Sequence, residues 1–171
     1  EVVVIHDEKV DRTTNGKGYV KDYTLSELQQ LNAHYIFKKQ NEKVRIPTLK
    51  EVFDWLAGNH LICNVEIKSH EFQQFHLEEK VIAFIRRYGF EKRVILSSFN
   101  HYSIVHCYRL APDVETALLY SYGIYLPWVY AKGLHARAIH PHYQTLTEEI
   151  VQMSRQNGIK VRPYTVNREK D

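Results

Sequence analysis

No apolar run in these 171 residues approaches the ~18 that a membrane span requires, and no signal-peptide pattern opens the chain. Cysteine is nearly missing. Cys63 and Cys107 stand alone, with no C-x-x-C spacing, which excludes a disulfide framework and a thiolate zinc site. Cys63 falls in an apolar stretch and reads as a buried reduced thiol, which favours a cytoplasmic protein. Lysine and arginine never gather into a run or stripe. With a net charge of only +3, nucleic acid is not an expected partner, although a mild positive excess suits a small anionic substrate. There is no Gly-rich dinucleotide loop, no short repeat and no low-complexity tract.

What is there alternates. Strand-like runs are expected at Val2–His6, Leu61–Lys68, Arg93–Phe99, Val114–Leu119, Leu134–His140 and Ile159–Val166. Between them lie helical patterns. Thr24-x-x-Glu27 and Thr48-x-x-Glu51 are capping boxes ahead of the stripes Leu25/Leu28/Leu31 and Leu49/Val52/Phe53/Leu56. Helices are also expected from about Gln73 to Tyr88 and over His101–Leu110, and a third capping box, Thr145-x-x-Glu148, opens another. Residues 34–46 read as a polar loop, and the stretch Tyr120–Lys132 as irregular with room for a short helix. Strand–helix repetition argues for βα units and a parallel sheet. An open doubly wound sheet and a (β/α)8 barrel both fit. The barrel is favoured because polar residues collect at several strand ends and the dinucleotide loop is missing.

Two of those strand ends carry chemistry. Val2–His6 runs into His6-Asp7 and the turn-rich loop Asp11–Gly18. A strand-end histidine is more often structural than catalytic, and Asp7 reads as a brace for the Arg12-Thr13-Thr14 loop. In Leu61–Lys68, period-two alternation sends Leu61, Cys63, Val65 and Ile67 one way and Ile62, Asn64, Glu66 and Lys68 the other. A carboxylate and an ammonium on one inward face are costly unless paired or used, so Glu66 and Lys68 are either a structural ion pair or a site. His140-Pro141-His142 offers two histidines at metal-ligand spacing, but no third ligand supports a metal, and a rim position is the better reading. Tyr122, Tyr125, Trp128 and Tyr130 fit a wall at that rim or ordinary packing equally well. Arg162 fits either phosphate binding or a solvated strand end.

VVIHD, then RTT-x-G-x-G, TLSEL, IPTLKEVFDWL and NVEIK occur in that order. Together they resemble the glycerophosphodiester phosphodiesterase family, from Val2 to Asn167. The resemblance implies a (β/α)8 TIM barrel of the phosphodiesterase type, incomplete in this chain, as a single domain over residues 1–171 truncated at both ends. It implies metal-dependent hydrolysis of a small-molecule glycerophosphodiester to glycerol 3-phosphate and an alcohol, with Ca2+ or Mg2+ as cofactor. It makes His6 a general acid or base, Glu66 a metal ligand and Lys68 a contact to substrate phosphate. Phe99 would line the substrate groove, and Tyr164 stands where the family's W-T-V-N motif has tryptophan. Two family motifs are missing: the H-R-G that carries a first histidine, and the E-x-D that carries two further metal ligands just before the equivalent of Val2. The closing barrel strand would follow Asp171. The 171 residues are therefore expected to be a piece of a longer enzyme and inactive alone. Two rivals remain open. One is a non-catalytic barrel that binds a phosphodiester or a protein. The other is a phospholipase-type barrel acting on lipid headgroups, for which no apolar rim stands out in the sequence.

Overall fold

The computed structural model describes residues 1–33, 43–68 and 76–168. The chain divides into two compact units, Glu1–Asn59 and His60–Asp171.

In the first unit, both capping boxes form as expected. Thr24 caps α1 (Leu25–Gln30) and Thr48 caps α2 (Leu49–Ala57). In each, the threonine oxygen accepts from the N3 amide, and the N3 glutamate accepts from the threonine amide. Leu49, Phe53 and Leu56 form the buried stripe of α2. The Val2–His6 strand is not found. Val3 makes one isolated antiparallel bridge to Thr48, with Val4 N–H donating to Pro47 and Leu49 N–H to Val2. The run is extended, but it pairs only with the two residues on either side of a helix cap, so no ladder propagates. Behind it, Val10, Leu28 and Ile46 form a small core, with Val3, Ile5, Val20 and Leu31 packed against it. Gly16 lies close against the small core: a Cβ there would sit 2.9 Å from both Leu31 methyls, so Leu31 would have to shift.

The second unit is a five-stranded parallel sheet in strictly sequential order: β1 (Cys63–Glu66), β2 (Val94–Ser98), β3 (Glu115–Tyr120), β4 (Ala138–Pro141) and β5 (Lys160–Val161). Helices α3 (Leu77–Tyr88), α4 (His101–Leu110), α5 (Pro127–Gly133) and α6 (Glu148–Gln156) fill the crossovers. A doubly wound sheet reverses its strand order at a switch point. This one never does, as expected for an arc of a (β/α)8 wall. The two faces differ. Leu118, Tyr120 and Ile139 pack on Ile104 of α4 and on Trp128 and Ala131 of α5. On the opposite face Ile95, Ala117 and Ala138 cluster side by side. Register places Asn64 and Glu66 beside Ile95 and Ser97 on that second face.

Several local readings need correction. The third capping box does not form. Thr145 ends a 3-10 turn, and Thr147 caps α6 by accepting from the Ile150 amide, because the turn at Tyr143–Thr145 delays the helix by two residues. Trp128 is buried in the helix-facing core and belongs to packing. Both cysteines are free, and the buried one is Cys107, whose thiol is pushed up to about 12, chiefly by burial; Cys63 is half-buried. The expected loop at 34–46 overlaps residues 34–42, and the start of the Gln73 helix overlaps 69–75; both stretches lie outside the described residues. No helix among the described residues is long and apolar enough to cross a membrane.

Leu118 is fully buried under α4 and α5. Leu118→Ala is expected to destabilise the protein by about 2–5 kcal/mol, read as a lower urea midpoint at constant m-value.

Candidate active site

The inward face of the sheet carries the titratable groups. Glu66 ends β1, and Lys68 follows two residues later on the same side. Lys68 Nζ donates to Glu66 Oε1 at 2.7 Å, with the two side chains 27% and 28% exposed. The pair is therefore formed, and it is open to solvent at the carboxyl end of the strand. The second oxygen, Oε2, has no partner among the described residues.

Deeper on that face, Glu115 of β3 accepts from Lys160 Nζ at 2.5 Å and from an Arg162 guanidinium nitrogen at 2.7 Å. Burial would raise the Glu115 carboxyl, but these two donors outweigh it and hold it below its ordinary value. Arg162 also lies 3.3 Å from Nε2 of His140, which is buried. Burial, assisted by the Arg162 charge, lowers His140 to about 4, against opposing pulls from Glu115 and Glu66. His140 is thus neutral at neutral pH, which lets Nε2 accept from arginine. Arg162 is accordingly tied into an ion-pair row while its side chain stays partly exposed. Sequence reading missed this row. The signal was present in strand parity, which puts Glu115 and Lys160 on the same face as Glu66.

Aromatic rings stand at the strand ends. Tyr164 meets Phe99 edge-on at 5.9 Å and 85°, and His142 edge-on at 5.6 Å and 87°. The Tyr164 hydroxyl donates to the Tyr120 carbonyl at 3.2 Å. A tryptophan could not make that bond in the same way, so the Tyr164 ring is held by its hydroxyl as well as by packing. Phe99 is about half exposed, which suits a groove wall better than core. His140 and His142 are therefore divided between a buried ion-pair row and the aromatic rim. Among the described residues no three His, Cys, Asp or Glu side chains gather as a metal site.

His6 belongs to the first unit. Its imidazole is 71% exposed, and its Nδ1 lies 2.6 Å from Asp7 Oδ1. Arg12 clasps the same carboxylate, Nε to Oδ2 at 2.6 Å and an NH2 group to Oδ1 at 2.8 Å. Arg12 first, then His6, holds the Asp7 carboxyl far below its ordinary value, so it is ionised throughout the neutral range. Asp7 braces the loop as expected, and it also fixes the histidine. The loop is pinned in turn by Thr14 Oγ1 donating to the Val10 carbonyl at 2.7 Å and by Gly18 N–H donating to Asp11 at 2.7 Å.

The sequence matches the glycerophosphoryl diester phosphodiesterase family over residues 1–171. The chain belongs to this family. It is 45% identical to a glycerophosphodiester phosphodiesterase of Caldanaerobacter subterraneus, over 99% of this chain and 70% of that one. A glycerophosphodiester phosphodiesterase of Bacillus altitudinis is 38% identical over 99% of this chain and 70% of its own. Among solved structures, a phosphodiesterase from Oleispira antarctica superposes with a TM-score of 0.82 at 26% identity, covering 98% of this chain and 68% of that one. That protein was solved with its product, sn-glycerol 3-phosphate.

Proposed function

We propose that the full-length phosphodiesterase hydrolyses glycerophosphodiesters to glycerol 3-phosphate and an alcohol such as choline or ethanolamine. The observation that carries this reading is the Glu66–Lys68 pair, about a quarter exposed at the carboxyl end of a parallel strand, in a chain of this family. Barrel enzymes place their chemistry at that end.

In the reaction a phosphorus–oxygen bond to the alcohol breaks. An oxygen of water, or first the glycerol 2-hydroxyl, takes its place on phosphorus. A base removes the attacking proton and an acid returns one to the departing alkoxide. His6 is assigned to one of these roles. The Asp7 carboxylate accepts a hydrogen bond from Nδ1–H, which leaves Nε2 for substrate and stabilises the imidazolium when it forms. Lys68 supplies a fixed positive charge for the phosphoryl oxygens as negative charge develops there.

A divalent cation, Ca2+ or Mg2+, is part of the same proposal. When bound it would draw electron density from phosphorus as a Lewis acid. The described residues do not make its site: Glu66 offers one free carboxylate oxygen, and hard cations need several oxygen ligands. Glu66 is proposed as one ligand, with the remainder expected from the acidic motif upstream of Val2. In the full-length protein, Glu66→Gln is expected to move half-maximal Ca2+ or Mg2+ activation to at least about tenfold higher concentration, since even outer-shell changes weaken metal binding this much. A cation titration superimposable on wild type removes Glu66 from the shell.

A further inference from the structure

The ion-pair row on the inward face ends in a histidine that the chemistry above does not use. His140 is only 6% exposed. Its Nε2 lies 3.3 Å from an Arg162 nitrogen, and Arg162 is itself held by Glu115, which also accepts from Lys160. A guanidinium can only donate, so this contact needs a bare Nε2 and puts the ring proton on Nδ1. Nδ1 has no hydrogen-bond partner among the described residues. Burial, then the Arg162 charge, keeps the ring from taking a second proton in the neutral range. His140 is therefore a buried, neutral N–H donor of fixed tautomer. Leaving such a donor unpaired is costly, and a native protein that does so has a use for it.

Register shows what lies beside it. Glu66, Ser97, Ala117 and Ala138 form one row across β1 to β4. Two residues further along each strand, the next row on the same face runs Lys68, Phe99, Leu119, His140. It begins with the proposed phosphate contact, crosses two apolar side chains and ends on the imidazole. Three strand spacings of about 4.8 Å separate β1 from β4. Long side chains shorten that span, and the Glu66 charge already acts on the His140 ring across it. A ligand with an anion at one end, a short carbon chain and a neutral polar group at the other end matches this row. Glycerol phosphate has that form. A second anionic group at His140 would favour the imidazolium, whereas the row holds the ring neutral, so a hydroxyl is the better match. The hydroxyl farthest from phosphorus is the terminal one.

We propose that His140 Nδ1–H donates a hydrogen bond to the terminal hydroxyl of the glycerol moiety and so selects glycerol over other short alcohols on that side of the phosphate. Arg162 and Glu115 are positioning residues, which fix the tautomer and direction of the ring without touching substrate. This contact rests on the proposed phosphodiesterase function and specifies which half of the substrate the inward face reads.

The test is calorimetric titration of the full-length protein with sn-glycerol 3-phosphate and with propane-1,2-diol 1-phosphate, which lacks the terminal hydroxyl. Wild type should bind the first roughly three- to tenfold more tightly, the range of one net hydrogen bond. His140→Leu should bind both alike. His140→Asn and His140→Gln separate substrate contact from support of Arg162. An asparagine amide sets an N–H where Nδ1 stands, and a glutamine amide reaches to where Nε2 stands. Asparagine should therefore keep the preference and glutamine lose it. A histidine that only braced Arg162 would be replaced better by glutamine, as read in thermal unfolding, and no variant would change the preference. Release of glycerol 3-phosphate from glycerophosphocholine is followed alongside. Hydrolysis by a wild type with no preference between the two ligands, or a preference kept in His140→Leu, overturns this contact alone. So does a preference lost in His140→Asn and kept in His140→Gln, which decides the matter if the leucine variant does not fold. A wild type that neither hydrolyses glycerophosphocholine nor binds glycerol 3-phosphate overturns the proposed function and this contact with it.

Discussion

In the full-length protein, His6→Ala is expected to lower kcat for glycerophosphocholine hydrolysis by about 10²–10⁴-fold, the usual contribution of a positioned general acid or base. Coupled detection of glycerol 3-phosphate gives the rate, and circular dichroism the fold. The expectation of an intact fold rests on exposure. The His6 ring is largely in solvent, and its removal leaves the Asp7–Arg12 ion pair in place. The size of the effect rests on orientation. Asp7 holds one ring nitrogen at 2.6 Å and is itself locked by two bonds from Arg12, so the imidazole is presented in a fixed direction. Asp7→Asn should give an intermediate loss. An amide can present its NH2 to the ring and turn the tautomer round, and it cannot stabilise the imidazolium. Turnover near wild type in His6→Ala would return the histidine to a structural role, as a cap on the loop that follows it.

Local signals in the sequence carried far in this chain, and their failures have physical causes. Alternation in Leu61–Lys68 placed Glu66 and Lys68 on one face correctly, because a strand's parity is a property of the backbone alone. The first two capping boxes held for the same reason: donor and acceptor lie three residues apart. The Thr145 box failed because a tertiary feature, the turn at Tyr143–Thr145, moved the cap to Thr147. The Val2–His6 strand failed because a β-branched run becomes a strand only when a neighbour ladder is available, and its neighbour here is a helix cap. The Glu115–Arg162–His140 row was hidden for a different reason. It joins residues of three strands far apart in sequence, and only the register of β3, β4 and β5 brings them together. What Arg162 does could not be decided before its partners were known.

Lys68→Met is expected to reduce kcat/KM for glycerophosphodiesters by roughly 10²–10³-fold in the full-length protein, the scale found when one fixed donor to a developing negative charge is lost. A rival account treats the 2.7 Å contact with Glu66 as a surface-type ion pair that holds the end of β1 in place. The two accounts separate cleanly. Both side chains are about a quarter exposed, so as a structural pair the contact contributes at most about 1 kcal/mol, and its loss would appear in thermal unfolding with turnover largely kept. As a catalytic group, Lys68 would show the reverse, a large fall in turnover with little change in melting temperature. Lys68→Arg should recover only part of the rate, because the charge returns on a planar fork of different reach. The metal titration adds an independent sign. Glu66→Gln removes a carboxylate ligand and shifts cation activation upward. Lys68→Met removes a competing ammonium from that carboxylate, so its activation midpoint should stay where it is or move downward. Opposite responses from two residues that share one hydrogen bond would mean that one holds the cation and the other the phosphate. If both variants shift the midpoint upward together, the pair acts as a single structural unit and Lys68 loses its assignment.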